Sequence, residues 1–285
     1  MTREHLIQLV SSALYEDCPN EDISANLVLD NEQEGRAKII AKSDGVFYGT
    51  EIIDTLFHIS DSHANIVIYK RNGEKVISGD VICDIRSYSK TILKIERVLL
   101  NFLQRLSGVA TTTRAYVDKL NNPSIQILET RKTTPMLRFL EKKAVVAGGG
   151  FNHRFSLSDM VLFKENHLHE LRKSDKLHEL PLIFKKFKNE NPGTKVEIEV
   201  EQLDELKEWD LSGVDIIMFD NFSLSDIPKA IKICQEKGYP AQLEVSGNIT
   251  LENIHLYRDF EIQRISIGAL THSYKVLDLS LLCFD

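Results

Sequence analysis

From residue 123 onward the chain repeats one rhythm, short β-branched runs separated by amphipathic stretches, and that rhythm restricts it to folds built on a parallel sheet. The runs are Ile125–Leu128, Met160–Phe163, Val196–Val200, Ile216–Phe219, Gln242–Val245 and Ile265–Ile267. Each intervening helix carries the chain back to the start of the next strand, so successive strands run parallel. At or just past the ends of these runs stand Arg131, Lys164, Glu199, Asp220, Ser246 and Gly268. Barrels and open sheets of this class place their ligands at the C-terminal ends of the strands. One polar residue there carries little information, but six after six strands predict a site. A barrel-like α/β domain is expected, with a doubly wound open sheet as the alternative.

The first hundred residues mix element types. Leu6, Leu9, Val10, Ala13 and Leu14 have helical spacing within Glu4–Tyr15. Ala37–Lys42, Ala64–Tyr69 and Val81–Ile85 read as strands, with Gly45 and Gly73 marking turns. A long helical stretch covers Thr91–Leu120, and a kink or restart is expected at Ser107-Gly108 because glycine weakens a helix interior.

Charge is distributed unevenly. The 285 residues sum to −7, yet the segment Arg131–Lys164 holds seven Lys and Arg against Glu141 and Asp159. A cationic pocket in an acidic protein suits a small polyanion rather than a nucleic acid. No apolar run is long enough to span a bilayer, Met-Thr-Arg-Glu-His opens without a signal-peptide core, and Cys18, Cys83, Cys234 and Cys283 form no C-x-x-C pair. A cytoplasmic enzyme with reduced thiols is expected.

Arg131, Arg154 and Lys164 are the anion binders to expect, Arg through its planar fork and Lys as a compact charge. Gly148-Gly149-Gly150 lets backbone approach either an anion or a neighbouring helix, and is neither a P-loop nor a dinucleotide fingerprint. Glu197, Glu199 and Glu201 alternate along one strand and share a face. Glu199 and Asp220 at a barrel mouth would suit ribose hydroxyls or Mg²⁺, whereas Glu201 fits a solvated edge. His153 and His167 are ambiguous between structural and anion-facing roles.

Several segments resemble the quinolinate phosphoribosyltransferase family. They are Glu129-Thr130-Arg131-Lys132-Thr133-Thr134-Pro135, Gly-Gly-Gly-Phe151-Asn152-His153-Arg154 and Leu162-Phe163-Lys164-Glu165-Asn166-His167. The likeness continues through Glu96–Leu103, Leu106–Thr111, Glu197–Glu201, Met218–Phe222, Glu244–Gly247 and Ser266–Ser273. It implies an α/β protein of type II phosphoribosyltransferase architecture, with an N-terminal α/β sandwich at 1–105 and an open or incomplete α/β barrel at 106–270. Residues 271–285 would pack back on the first domain. The resemblance further implies a homodimer, with a hexamer as a further possibility, in which Arg97 completes the partner's site. Arg131, His153, Arg154 and Lys164 would hold the two carboxylates of quinolinate. Lys132, Glu199 and Asp220 would address phosphoribosyl pyrophosphate and its Mg²⁺, with Ser246, Gly247, Gly268 and His272 near the phosphates. Lys132, Lys164, Glu199 and Asp220 would be catalytic. Three positions depart from the family pattern: Met136 and Asn248 stand where Gly is usual, and Glu165 where Asp is usual. The competing readings are a paralogue taking another pyridine acid, a Schiff-base aldolase using Lys164, and a non-catalytic binding protein.

Overall fold

The computed structural model describes residues 2–284. Thr2 caps the first helix, α1 (Arg3–Asp17), by accepting the His5 N–H, and Asp22 caps α2 (Ile23–Val28) by accepting that of Ala25. Then come β1 (Glu34–Ala41), β2 (Gly45–Val46), α3 (Thr50–Ser60), β3 (Asn65–Ile68), β4 (Lys75–Val76) and β5 (Val81–Tyr88). The long α4 (Ser89–Leu120) leads to β6 (Gln126–Leu128), α5 (Arg138–Ala147), β7 (Val161–Phe163) and α6 (Glu165–Lys173). The βα rhythm continues through α7 (Leu180–Glu190), β8 (Val196–Val200), α8 (Leu203–Glu208), β9 (Ile216–Asp220), α9 (Ile227–Glu236), β10 (Gln242–Ser246) and β11 (Arg264–Ser266). The chain closes with α10 (Ala269–His272) and β12 (Leu279–Phe284).

These elements form two compact units. One comprises residues up to Arg114, Thr133–Gly149 and the chain from Leu270 on; the other comprises Ala115–Lys132 and Gly150–Ala269. In the first, an antiparallel sheet of order β12-β1-β5-β3 packs its apolar face into a core that includes Ile39, Ile52, Leu56, Phe57 and Ile85. β12 pairs with β1 from Arg36↔Phe284 to Ala41↔Leu279, so the last strand of the sequence completes a sheet begun by the first.

α4 runs unbroken through Ser107-Gly108, contrary to the break that glycine suggested. The cause lies in packing. Ser107 Oγ accepts the Tyr48 N–H at 3.0 Å and lies 3.2 Å from the Tyr48 carbonyl oxygen. A Cβ on Gly108 would stand 2.5 Å from the Lys275 carbonyl oxygen and 2.9 Å from Val276 Cα. The glycine admits a neighbouring backbone segment instead of ending the helix. Gly148 acts similarly at the end of α5, where a Cβ would meet the Ala110 carbonyl oxygen of α4 at 2.4 Å. Of the two readings of the glycine triplet, close approach of a helix is the one realised at this position.

The second unit holds a six-stranded sheet of order β6-β11-β10-β9-β8-β7, with every pairing parallel. The first strand therefore lies beside the last, as in a barrel, while no ladder joins β6 to β7 among the described residues. Phe151 donates its N–H to the Ile127 carbonyl at 2.7 Å and flanks β6 where that strand's next partner would lie. The domain is an open α/β barrel. Every residue of β8 is buried, as are Ile216–Phe219 of β9, which explains why these strands read as nearly continuous apolar runs.

Candidate active site

Strand register decides which side chains share a level. Glu199, Met218, Glu244, Arg264 and Gln126 lie on one row across five strands. Two residues further toward the C-terminal ends, Asp220, Ser246, Ser266 and Leu128 form the next row on the same face. The sheet thus brings Glu199, Asp220 and Ser246 to one end, where β7 delivers Lys164.

Lys164 is ion-paired with Glu199, whose side chain is almost fully buried while that of Lys164 is half exposed. Burial raises the Glu199 carboxyl above its usual range, Lys164 opposes that rise, and the charges of Asp220 and Glu165 add to it. Lys164 is therefore engaged and half open to solvent, unlike the desolvated amine of a Schiff-base enzyme. His167 takes a structural role: its Nδ1 accepts the Lys164 N–H at 3.0 Å at the start of α6. Glu201 is exposed just beyond β8, with its N–H bonded to Glu205 at 2.8 Å.

The guanidinium groups of Arg131 and Arg154 define the cationic part of this end. Arg154 is buried and donates from Nη1 to the Met160 carbonyl at 3.1 Å. Burial, and next the charge of Arg131, lower its affinity for its proton, so the two cations stand close enough to repel. The buried Nε of Arg131 has no hydrogen-bond partner. Lys132 is exposed, its N–H held by Thr130 Oγ1 at 3.1 Å. The other cations of the segment go elsewhere: Arg138, Lys142 and Lys143 sit on α5 in the first unit, where Lys143 pairs with Glu51 at 3.5 Å and Arg138 Nε donates to Thr133 at 3.1 Å. Arg97 on α4 and His272 on α10 are exposed and also belong to that unit. His272 Nδ1 lies 2.6 Å from Ser273 Oγ.

At the ends of β9 and β10 the backbone forms a tight cradle. Asn221 donates its N–H to the Ser246 carbonyl at 2.9 Å, and Asn248 Nδ2 reaches Asn221 Oδ1 at 3.0 Å. Gly247 has φ +93°, and a Cβ there would stand 2.1 Å from Asn221 Oδ1 and 2.9 Å from its backbone nitrogen. Only glycine satisfies both the angle and the approach. Asn248 (φ 52°) and Met136 (φ 68°) are also left-handed, a physical reason for glycine at both departing positions. Asn tolerates this region, whereas Met is strained in it. Gly268 follows β11 by two residues and is half-buried.

Beneath these groups lies a charged cluster that sequence reasoning largely missed. His153 is buried, with Nε2 3.2 Å from Glu197 and 3.4 Å from Glu244, and Arg264 Nε lies 2.6 Å from the other Glu244 oxygen. The His153 N–H points between the two oxygens of buried Glu129, at 3.2 and 3.4 Å. Burial alone would depress the imidazole, but Glu197 and Glu244 outweigh it and push it up to about 9. The Arg154 N–H, 2.8 Å from Nδ1, favours the neutral ring. That contact spans adjacent residues and is weaker than two buried carboxylates, so the charged ring prevails. Burial opposes ionisation of Glu244, yet His153 and Arg264 hold it below the usual range; burial and then Glu244 push Glu197 up. Acids and a guanidinium inside apolar strand runs were the available signal, and only Glu197 had been placed by its alternation with Glu199.

The C-terminal domain model of quinolinate phosphoribosyl transferase matches residues 109–282, and its N-terminal domain model matches residues 22–107. A probable nicotinate-nucleotide pyrophosphorylase (carboxylating) of Bacillus subtilis is 37% identical over 283 residues, covering 99% of this chain and 94% of that protein. The crystal structure of NadC from Streptococcus pyogenes superposes with a TM-score of 0.90 at 37% identity, covering 100% of this chain and 99% of that one. The nicotinate-nucleotide pyrophosphorylase of Francisella tularensis gives 0.89 at 33% identity, covering 100% of this chain and 98% of that one. With both domain models matched in order and near-complete alignment to relatives of like architecture, this chain belongs to the quinolinate phosphoribosyltransferase family.

Proposed function

We propose that this chain transfers the phosphoribosyl group of phosphoribosyl pyrophosphate to the ring nitrogen of quinolinate, releasing pyrophosphate and CO2 and forming nicotinate mononucleotide in de novo NAD biosynthesis. The observation that carries the reading is the pair of mutually repelling guanidiniums, Arg131 and Arg154, with a buried Arg131 Nε that lacks a partner. A dicarboxylate between them would relieve the repulsion and satisfy the nitrogen.

Arg131, Arg154 and Lys164 take the acceptor's carboxylates and orient its ring nitrogen toward the ribose. The nitrogen lone pair forms the bond to the ribose C1 as the C1–oxygen bond breaks, and that electron pair departs with pyrophosphate. The alkylated ring then accepts the electrons of the bond to the neighbouring carboxyl carbon, CO2 leaves, and a solvent proton fills the vacated position. Lys132 and the cradle of Ser246, Gly247 and Gly268 face the phosphates, and Glu199 and Asp220 the ribose hydroxyls. His272 is assigned to the phosphates on the family resemblance.

Glu199 and Asp220 also fit Mg²⁺, being carboxylates near enough for Asp220 to raise Glu199. Mg²⁺ is commonly held by one or two carboxylates plus substrate phosphates. When bound, it would neutralise charge on the departing pyrophosphate. The working form is a cytoplasmic homodimer in which exposed Arg97 reaches the partner's acceptor. The test is release of CO2 and pyrophosphate from quinolinate, phosphoribosyl pyrophosphate and Mg²⁺, with nicotinate in parallel and Arg131→Ala as control. Turnover restricted to quinolinate and lost in the variant is expected. A folded protein that ignores quinolinate would overturn the assignment.

A further inference from the structure

The geometry points to Glu129, Glu197, Glu244 and Arg264 as positioning residues that fix the spacing of Arg131 and Arg154 through the buried His153, and so select an acceptor with two adjacent carboxylates. This rests on the reading that those two guanidiniums receive a dicarboxylate.

Arg131 and Arg154 sit on separate segments. One follows β6, the other follows the glycine triplet. Glu129 ties them together, because it lies two residues before Arg131 and accepts the backbone N–H of His153, the neighbour of Arg154. From His153 the network runs inward: Nε2 faces Glu197 on β8 and Glu244 on β10, and Glu244 is held in turn by Arg264 on β11. Glu129, Glu197 and Glu244 are wholly buried, His153 and Arg264 nearly so. Three rigid strands thereby fix the imidazole, and the imidazole fixes the turn that carries Arg154.

His153 Nε2 faces two buried carboxylates, so the ring is held from behind the guanidiniums. Its ring and the two carboxylates could each offer a ligand atom, all within 4.8 Å of one another, to a cation. Arg264 already occupies Glu244, however, with its Nε 2.6 Å from one carboxylate oxygen. Removing one member would leave an uncompensated buried charge. A flat monocarboxylate needs one guanidinium, whereas adjacent carboxylates need two at a fixed separation. A displacement near 1 Å would therefore fall on the dicarboxylate.

The test compares dissociation constants of phthalate, a non-reacting 1,2-dicarboxylate, and of Mg²⁺-phosphoribosyl pyrophosphate by calorimetry for the full chain and for Glu244→Gln. Phthalate affinity should fall on the order of ten- to a hundredfold while phosphoribosyl pyrophosphate stays within about twofold. Should the single variant fail to fold, Glu244→Leu with Arg264→Met removes the ion pair without stranding a charge and serves the same comparison. Selective loss of phthalate supports the inference. Unchanged phthalate binding, or equal weakening of both ligands, overturns it. A wild-type chain that binds phosphoribosyl pyrophosphate but not phthalate would overturn the dicarboxylate reading itself, and the inference with it.

Discussion

Replacing Gly108 by alanine sets helix propensity against packing. In an isolated helix the change would stabilise by about 1 kcal/mol. In this protein the new Cβ meets two backbone atoms, the Lys275 carbonyl oxygen at 2.5 Å and Val276 Cα at 2.9 Å. Ordinary contact begins near 3.4 Å, so the 275–276 segment must retreat by close to an ångström. It is not free to do so, because Leu277 N–H is bonded to the Gln104 carbonyl at 3.0 Å and Gln104 Nε2 to the Leu279 carbonyl at 2.8 Å. Loss of both bonds costs about 2 kcal/mol, and residual overpacking adds about 1–3 kcal/mol. After the propensity gain, net destabilisation of about 2–4 kcal/mol is expected. Urea unfolding followed by far-UV circular dichroism would read it as a lowered midpoint at unchanged slope. A variant as stable as the parent, or more so, would refute the packing argument and return Gly108 to the role of a tolerated helix residue.

Other substitutions probe the site and its supports. Met136→Gly should stabilise by up to about 1 kcal/mol, since relief of the left-handed strain exceeds glycine's added chain entropy; a loss in urea midpoint would contradict it. Lys164→Met should lower kcat/KM on the order of a hundredfold or more in the coupled CO2-release assay, and parent-like turnover would remove Lys164 from the machinery. The pKa of about 9 for folded His153 lies above its ordinary 6.5, so its contribution to stability is complete below pH 6.5 and fades as pH rises through 9. Urea unfolding between pH 6.5 and 9.5 should show a decline on the order of 3 kcal/mol that His153→Gln lacks; parallel profiles would count against a charged ring.

Much of the barrel was legible because its strands are buried on both faces and their β-branched runs stand out from the polar connections. Lys164, Asp220 and Ser246 could be placed for the same reason, since each ends such a run. What local pattern could not supply was long-range packing. Gly108 reads as a helix breaker until the 275–276 segment lies against it. Arg138, Lys142 and Lys143 read as part of one cationic lining until α5 takes them into the other unit. Arg264 and Glu244 lie twenty residues apart, and only the parallel register of β10 and β11 makes them neighbours.

The pairing of β12 with β1 also has a consequence for the chain during its synthesis. β1 is an interior strand only after residues 279–284 have left the ribosome, by which time the whole second unit has already been made. Until then its edge from Arg36 to Ala41 presents unpaired N–H and carbonyl groups, a template for pairing with another nascent chain. A chain truncated before residue 279 would carry nearly all the site residues on a molecule unable to close its first sheet. Residues 279–284 thus act as the latch of the first sheet: yield of native protein should depend on them far more than their distance in sequence from the strands that carry the site suggests.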